Sequence, residues 1–309
     1  MLLHGLFLTV LLPPKRPIGN KSPTFIETRR QALEIYLQDI FNYLKFTMPR
    51  VFIEFLDFHI YDTLYLLKNL AFYFYSNADS ILKLTKSYKF NPVELYAISI
   101  CFKEPFPNIV DSDSRYDLSH VLDLCSQLLC LTIEGKPHKY LLSNIEPNSL
   151  KIDLSSFKCL QTLVVREMPL ENIYSLGNLR TNLKVLNVTK TITTNLSQIL
   201  QCDILHKSQV EDSQVWTGIA ELDLSANTIL EIDKAINLVP NLKVLRLNNN
   251  KISKIGDLSG LPHLTRIYLS NNLIADCDNL HTKLGRMVLT EYHLPLYTPV
   301  VWHRRCDPF

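Results

Sequence analysis

Three stretches towards the C-terminal end of the chain repeat one pattern. Ile219-Ala-Glu-Leu222-Asp-Leu224-Ser-Ala-Asn227-Thr-Ile229 is followed by Leu242-Lys-Val-Leu245-Arg-Leu247-Asn-Asn-Asn250-Lys-Ile252 and then by Leu264-Thr-Arg-Ile267-Tyr-Leu269-Ser-Asn-Asn272-Leu-Ile274. Each fits L-x-x-L-x-L-x-x-N-x-L, and the starts lie 23 and 22 residues apart. The alternating L-x-L core reads as a strand with one buried face. The asparagine falls where the chain must turn. There an inward-pointing amide satisfies backbone groups that the turn would otherwise bury unpaired.

A fixed period of this length with this consensus is the signature of a leucine-rich repeat array, whose stacked units present an extended concave surface to partners. Two weaker copies precede the three good ones. Leu160-Gln-Thr-Leu163-Val-Val165 and Leu183-Lys-Val-Leu186-Asn-Val188 keep the strand but carry Met168 and Thr191 where the asparagine should be. The next step, from Leu183 to Ile219, is 36 residues, and a polar insertion around 198–214 accounts for the surplus. Strands should centre on Leu163, Leu186, Leu222, Leu245 and Ile267. The pattern fades after Gly285, and residues 286–309 offer no further strand, so an array truncated at this end is expected. Residues alternating with the buried leucines face outward. They form one row of Val164, Asn187, Asp223, Arg246 and Tyr268, beside a second of Thr162, Val185, Glu221, Val244 and Arg266. Arginine and tyrosine are enriched at interface hot spots. Asp223, Arg246, Arg266 and Tyr268 are therefore the expected protein-binding residues, favouring a partner of acidic and aromatic character.

Upstream, Ser22-Pro23 makes a good helix start, and Leu33, Leu37, Ile40, Phe41 and Leu44 keep helical spacing. A second helix is expected from Pro49, and the chain stays apolar and helix-like to about residue 76. Residues 80–150 look mixed, with strand-like runs at Leu95–Phe102 and Cys130–Ile133 between proline- and aspartate-containing turns. The expected fold class is α+β. The expected domains are 1–59, a helical N-terminal remnant; 60–150, a helical and mixed spacer capping the solenoid; 151–285, the repeats; and 286–309, a divergent tail.

Several functions are disfavoured. A net charge of +2 gives no global steering towards nucleic acid. The seven cysteines form no C-x-x-C pair, and the count is odd, as in a reduced cytoplasmic protein. His59, His120, His263 and His281 share no metal-ligand spacing, and neither a P-loop, a G-x-S-x-G nor a G-x-G-x-x-G occurs. Met1 to Leu12 lacks the basic start and cleavage site of a signal peptide, and no apolar run reaches 18 residues. The chain is expected to be a non-enzymatic cytoplasmic protein without metal or cofactor.

The strongest chemical signal is near the N-terminus. Lys15, Arg16, Lys21, Arg29 and Arg30 face a single acidic residue, Glu27, across a proline-rich loop and the first turns of a helix. A helix N-terminus offers free N–H groups and partial positive charge, and neighbouring cations suit a multiply charged phosphate. L-P-P-K at 12–15, then R-x-x-A-L-E-x-Y-L at 29–37 and P-R-V-F-I-E-F-L-D-F at 49–58, resemble the second half of a PX domain. The resemblance implies that Lys15 and Arg29 bind a phosphoinositide headgroup. A PX domain's three strands and its R-[RY]-[FY] arginine do not precede residue 12. Binding of phosphatidylinositol 3-phosphate by this chain is therefore expected to be weak or absent, whereas a complete PX domain would bind it.

Taken from residue 12 to 285, the chain resembles the nischarin family of PX and leucine-rich-repeat scaffolds. V-E-L-Y-A-I at 93–98, D-L-S-H-V-L-D at 117–123, L-D-L-S-A-N-T-I-L-E-I-D at 222–233 and N-L-H-T-K-L-G at 279–285 extend the likeness. It implies a scaffold that binds phosphatidylinositol 3-phosphate on endosomal membranes. It also implies restraint of cell migration through an integrin α tail, Rac and p21-activated kinase. The alternative is a plain leucine-rich-repeat adaptor, similar to phosphatase-regulating repeat proteins, without lipid binding.

Overall fold

In the computed structural model of this 309-residue chain, the L-x-L cores stack into one parallel ladder. The structure describes residues 12–15, 21–44, 47, 49–56, 58–103, 113–140, 145–202, 214–274 and 288–289. The chain divides into two compact units, Met1–His59 and Ile60–Phe309. The first holds helix α1 (Pro23–Leu44) and the short α2 (Arg50–Phe55), and helix α3 (Phe58–Leu84) leads into the second. Among the described residues no helix is long and apolar enough to cross a membrane.

The ladder of the second unit has eight strands. They are β1 (Ser87–Phe90), β2 (Cys130–Glu134), β4 (Thr162–Arg166), β6 (Val185–Thr189), β7 (Glu221–Asp223), β8 (Val244–Arg246), β9 (Arg266–Tyr268) and β10 (Val288–Leu289), in that spatial order. Neighbours pair in parallel with the repeats in register, Leu163 beside Leu186, then Leu222, Leu245 and Ile267. A register slip of one residue would send every leucine to the wrong face. Leu163, Leu186, Leu222 and Leu245 are fully buried, as are Leu160, Leu183, Ile219 and Leu242 at the repeat starts. A second, two-stranded sheet of β3 (Ile152–Asp153) and β5 (Ile173–Tyr174) accompanies the early repeats.

The first strands are sealed by helices. Phe74 of α3 packs edge-on against Tyr88 and Phe90 of β1, at 5.1 and 6.1 Å between ring centres, and Phe90 meets Phe157 at 6.1 Å. Helix α4 (Pro92–Cys101) buries Val93, Leu95, Ala97 and Ile98, and α5 (Ser119–Gln127) buries Val121, Leu124 and Cys125.

Four expectations need correction. Leu95–Phe102 is helix, not strand. Asn91 Oδ1 accepts hydrogen bonds from the Val93 and Glu94 amides while Glu94 Oε2 accepts one from the Asn91 amide, a complete capping box with Pro92 in the first turn. The parallel ladder also begins before residue 151, because β1 and β2 lie in the stretch read as a spacer. Val288–Leu289, where no further strand was expected, pairs with Arg266–Ile267. Finally, Val244 is buried although its row faces outward. It is short and sits between Glu221 and Arg266, whose long side chains shield a small neighbour.

Candidate functional site

What fixes the concave surface is the asparagine ladder beneath it. Asn227, Asn250 and Asn272 are all buried. Asn250 Nδ2 donates to the Leu224 and Leu247 carbonyls at 2.9 and 3.0 Å, and its Oδ1 accepts from the Ile229 amide at 3.1 Å. Asn272 repeats this with Leu247, Leu269 and the Ile252 amide, and Asn227 with Val188, Leu224 and the Thr191 amide. Each amide therefore ties its own turn to the previous one. Where Thr191 replaces the asparagine, its hydroxyl donates to Asn227 Oδ1 or bonds Thr193 Oγ1, which keeps that turn satisfied by a different route. The polar insertion expected at 198–214 lies outside the described residues from 203 to 213. Its entry forms helix α6 (Ser197–Leu200), and the fully buried Trp216 beyond it donates to the Leu200 carbonyl.

On this frame the outward rows come together as read from the sequence. Asn187, Asp223, Arg246 and Tyr268 sit on four successive rungs, and Glu221, Val244 and Arg266 form the adjacent row. The ladder adds Lys89 and Thr132 to the first row and Ser87 and Cys130 to the second. Leu128-x-x-Leu131-x-Ile133 carried the signal for the β2 rung.

The charges, however, are already partly matched. Arg246 Nη1 lies 3.1 Å from Glu221 Oε2, and its guanidinium carbon is 5.4 Å from the centre of the Tyr268 ring. Arg266 is exposed. The reading of two outward guanidiniums beside a tyrosine thus becomes one exposed arginine and one that is held by a carboxylate and a ring. Asp223 Oδ1 accepts from the Ser225 amide at 3.0 Å, and Oδ2 lies 3.5 Å from Asn187 Nδ2.

In the first unit, an Arg29 Nη1–H donates to the carbonyl of Pro14, the residue before Lys15. The proline loop and the helix are thereby joined through Arg29 and the residue next to Lys15, with Lys15 exposed and Arg29 half-exposed. Arg30, adjacent in sequence, is otherwise engaged, 2.8 Å from Glu27 and 3.2 Å from Glu34. The hydrogen bond from Arg30 holds Glu27 below the ordinary glutamate range. Sequence alone did not separate Arg29 from Arg30.

Nucleophilic chemistry at two buried thiols is disfavoured by their surroundings. Burial raises Cys101 and pushes Cys125 to about 12, the opposite of what a thiolate nucleophile needs. Among the described residues no group of three or more His, Cys, Asp or Glu could hold a metal ion.

Comparison with known proteins agrees with this division. The PX domain family matches residues 3–59, and the leucine-rich repeat family (two copies) matches residues 240–280. The chain is thus α+β, with a PX segment followed by a leucine-rich-repeat ladder. Both families are binding modules. Tubulin-specific chaperone E of Xenopus laevis is 32% identical over 124 residues, which is 38% of this chain and 22% of that protein. The chain spans about a fifth of the length of that curated relative. Among solved structures, internalin C2 of Listeria monocytogenes is 23% identical over 57% of this chain and 66% of its own, with a TM-score of 0.32. A leucine-rich-repeat protein of Leptospira interrogans is 20% identical over 55% of this chain and 38% of its own, with a TM-score of 0.37. At such scores these two likenesses add nothing to the ladder geometry.

Proposed function

We propose that the chain is a non-enzymatic scaffold of the nischarin type, which holds a signalling protein on the concave face of its repeats and phosphatidylinositol 3-phosphate through its PX segment. The observation that carries the reading is the register of β6 to β9, which sets Asp223, Arg246, Arg266 and Tyr268 side by side on one continuous surface. An interface core of this kind, arginine and tyrosine over a short-chain floor, is how protein surfaces concentrate binding energy. An integrin α tail, Rac and p21-activated kinase are the partners proposed by resemblance, with endosomal membranes as the place and restraint of cell migration as the outcome. Pull-down from cytosol with wild type and an Arg246→Ala/Arg266→Ala/Tyr268→Ala variant tests the protein half. The reading requires that a folded variant lose the captured partners.

On the lipid half, Lys15 and Arg29 supply charge-assisted contacts to the headgroup. Flotation with liposomes containing phosphatidylinositol 3-phosphate should show weak binding that declines above about 0.15 M salt and falls further in Lys15→Ala. Binding unchanged by Lys15→Ala and Arg29→Ala would remove these residues from the site. The likeness to tubulin-specific chaperone E favours a second reading, a plain repeat adaptor whose client is a protein and which needs no lipid. Tubulin is the client to test first. Capture of tubulin together with absence of flotation would favour it.

A further inference from the structure

We infer that the concave face takes a basic side chain at Asp223, so that the bound segment of the protein partner presents an arginine or lysine there with small apolar residues beside it. The inference rests on the concave-face reading and specifies its occupant. Strands β7 and β8 carry two carboxylates, Glu221 and Asp223, and one guanidinium, Arg246, on the outward face. Arg246 is committed to Glu221 at 3.1 Å and leans on the Tyr268 ring at 5.4 Å. On these two strands the carboxylate left without a cation is Asp223, and the face's other guanidinium, Arg266, stands two strands away on β9.

The surroundings of Asp223 are short of donors. Its Oδ2 faces only the Asn187 amide nitrogen, at 3.5 Å, the outer limit of a hydrogen bond. Among the described residues no cation pairs with it. Asn187 itself leaves Oδ1 buried without a partner. With Oδ1 taken by the Ser225 amide at 3.0 Å, the weakly bonded Asp223 Oδ2 and the unpartnered Asn187 Oδ1 are the acceptors left on adjacent rungs. Arginine and lysine offer several donors and no acceptor. The terminal torsion of an asparagine is broad, so the Asn187 amide can turn to share an incoming donor once Asp223 has been taken. Arg166, the cation on the other side, stands on β4, two strands from Asp223 and two residues along, about 12 Å away by strand spacing and rise.

The apolar part of the occupant follows from the neighbours. Val164 is the next residue along the Asn187 row and Val185 stands on the adjacent row of β6, both half-buried and short. They form a floor for small aliphatic side chains on one side of Asp223, while Tyr268 closes the other side through Arg246. An acidic segment fits less well. The guanidinium that would receive it at the centre is already held by Glu221, and Arg266 lies beyond, on β9.

Selection of a random peptide library displayed on phage, against the immobilised full chain, tests the inference. Wild type should recover peptides with arginine or lysine beside small aliphatic residues. Those peptides should bind the isosteric Asp223→Asn variant about tenfold more weakly, the loss of one charge-assisted contact. Asp223→Lys should turn the selection towards aspartate and glutamate. Thermal melting of each variant separates lost binding from lost folding. Recovery of acidic peptides that depend on Arg246 and Arg266 would overturn the basic occupant and leave the docking surface standing, and recovery of no shared sequence would also overturn the inference. If the selected peptides bind Asp223→Lys and the Arg246/Arg266/Tyr268 triple-alanine variant as tightly as wild type, the concave-face reading fails with it.

Discussion

Asn250 has two kinds of work, and only one of them is shared. Its Nδ2 reaches the Leu224 and Leu247 carbonyls, but Asn227 also donates to Leu224 and Asn272 also donates to Leu247. Its Oδ1 is the acceptor for the buried Ile229 amide. Asn250→Ala thus orphans one buried N–H, at a cost of about 1–3 kcal/mol, although four hydrogen bonds disappear. Urea unfolding measures this directly. A loss below about 0.5 kcal/mol would mean that the ladder does not bear on stability. Glu94 gives a second residue-scale expectation, in pH. Burial raises its carboxyl above the ordinary value of 4.5. The folded state therefore binds a proton that the unfolded state has released between the two values, and this group's contribution falls as pH rises through that window. Glu94→Gln keeps an acceptor for the Asn91 amide and removes the titration. Its melting temperature relative to wild type should be higher at pH 7 than at pH 4, and an equal difference at both would contradict the burial of the carboxyl.

At the scale of the elements, the turn before each asparagine adopts a left-handed backbone. Ala226, Asn249 and Asn271 have φ of 57°, 56° and 57°. Asparagine tolerates this region and alanine does not. Asn271 also donates to Asn249 Oδ1 at 2.8 Å, a surface link that Ala226 cannot continue. Ala226→Asn should stabilise the chain by about 0.5–1 kcal/mol, read as a higher urea midpoint at unchanged slope. Such regularity is why the repeats were legible from sequence. The strands at Leu163, Leu186, Leu222, Leu245 and Ile267 follow from spacing alone, and so do the outward rows that they carry. What spacing did not show has physical reasons. The apolar run at Leu95–Phe102 is buried almost all round, so it has neither a helical stripe nor a strand alternation, and the Asn91–Glu94 box that makes it a helix lies just before it. β1 and β2 lack the terminal asparagine, so they escaped the consensus although Leu131 and Ile133 alternate as in any other rung. The outward row was legible as a set of residues, whereas the pairing of Arg246 with Glu221 depends on a contact across 25 positions of sequence.

For the whole molecule, the second unit is a ladder in which the buried leucines fix the backbone and leave the outward side chains to vary. Solenoid stability of this kind comes from each rung resting on its neighbours, so a continuous surface spans the paired rungs β6 to β9. The central claim is that this surface, and not the convex side, meets the protein partner. Site-specific photocrosslinking tests it most directly. A benzoylphenylalanine replaces Arg266 on the outward row in one variant and the exposed Lys234 of the single-turn helix Lys234–Leu238 in another, and each is irradiated in cytosol. The account predicts discrete protein adducts from position 266, competed away by unmodified chain, and none from position 234. Adducts from position 234 with none from position 266 would contradict it.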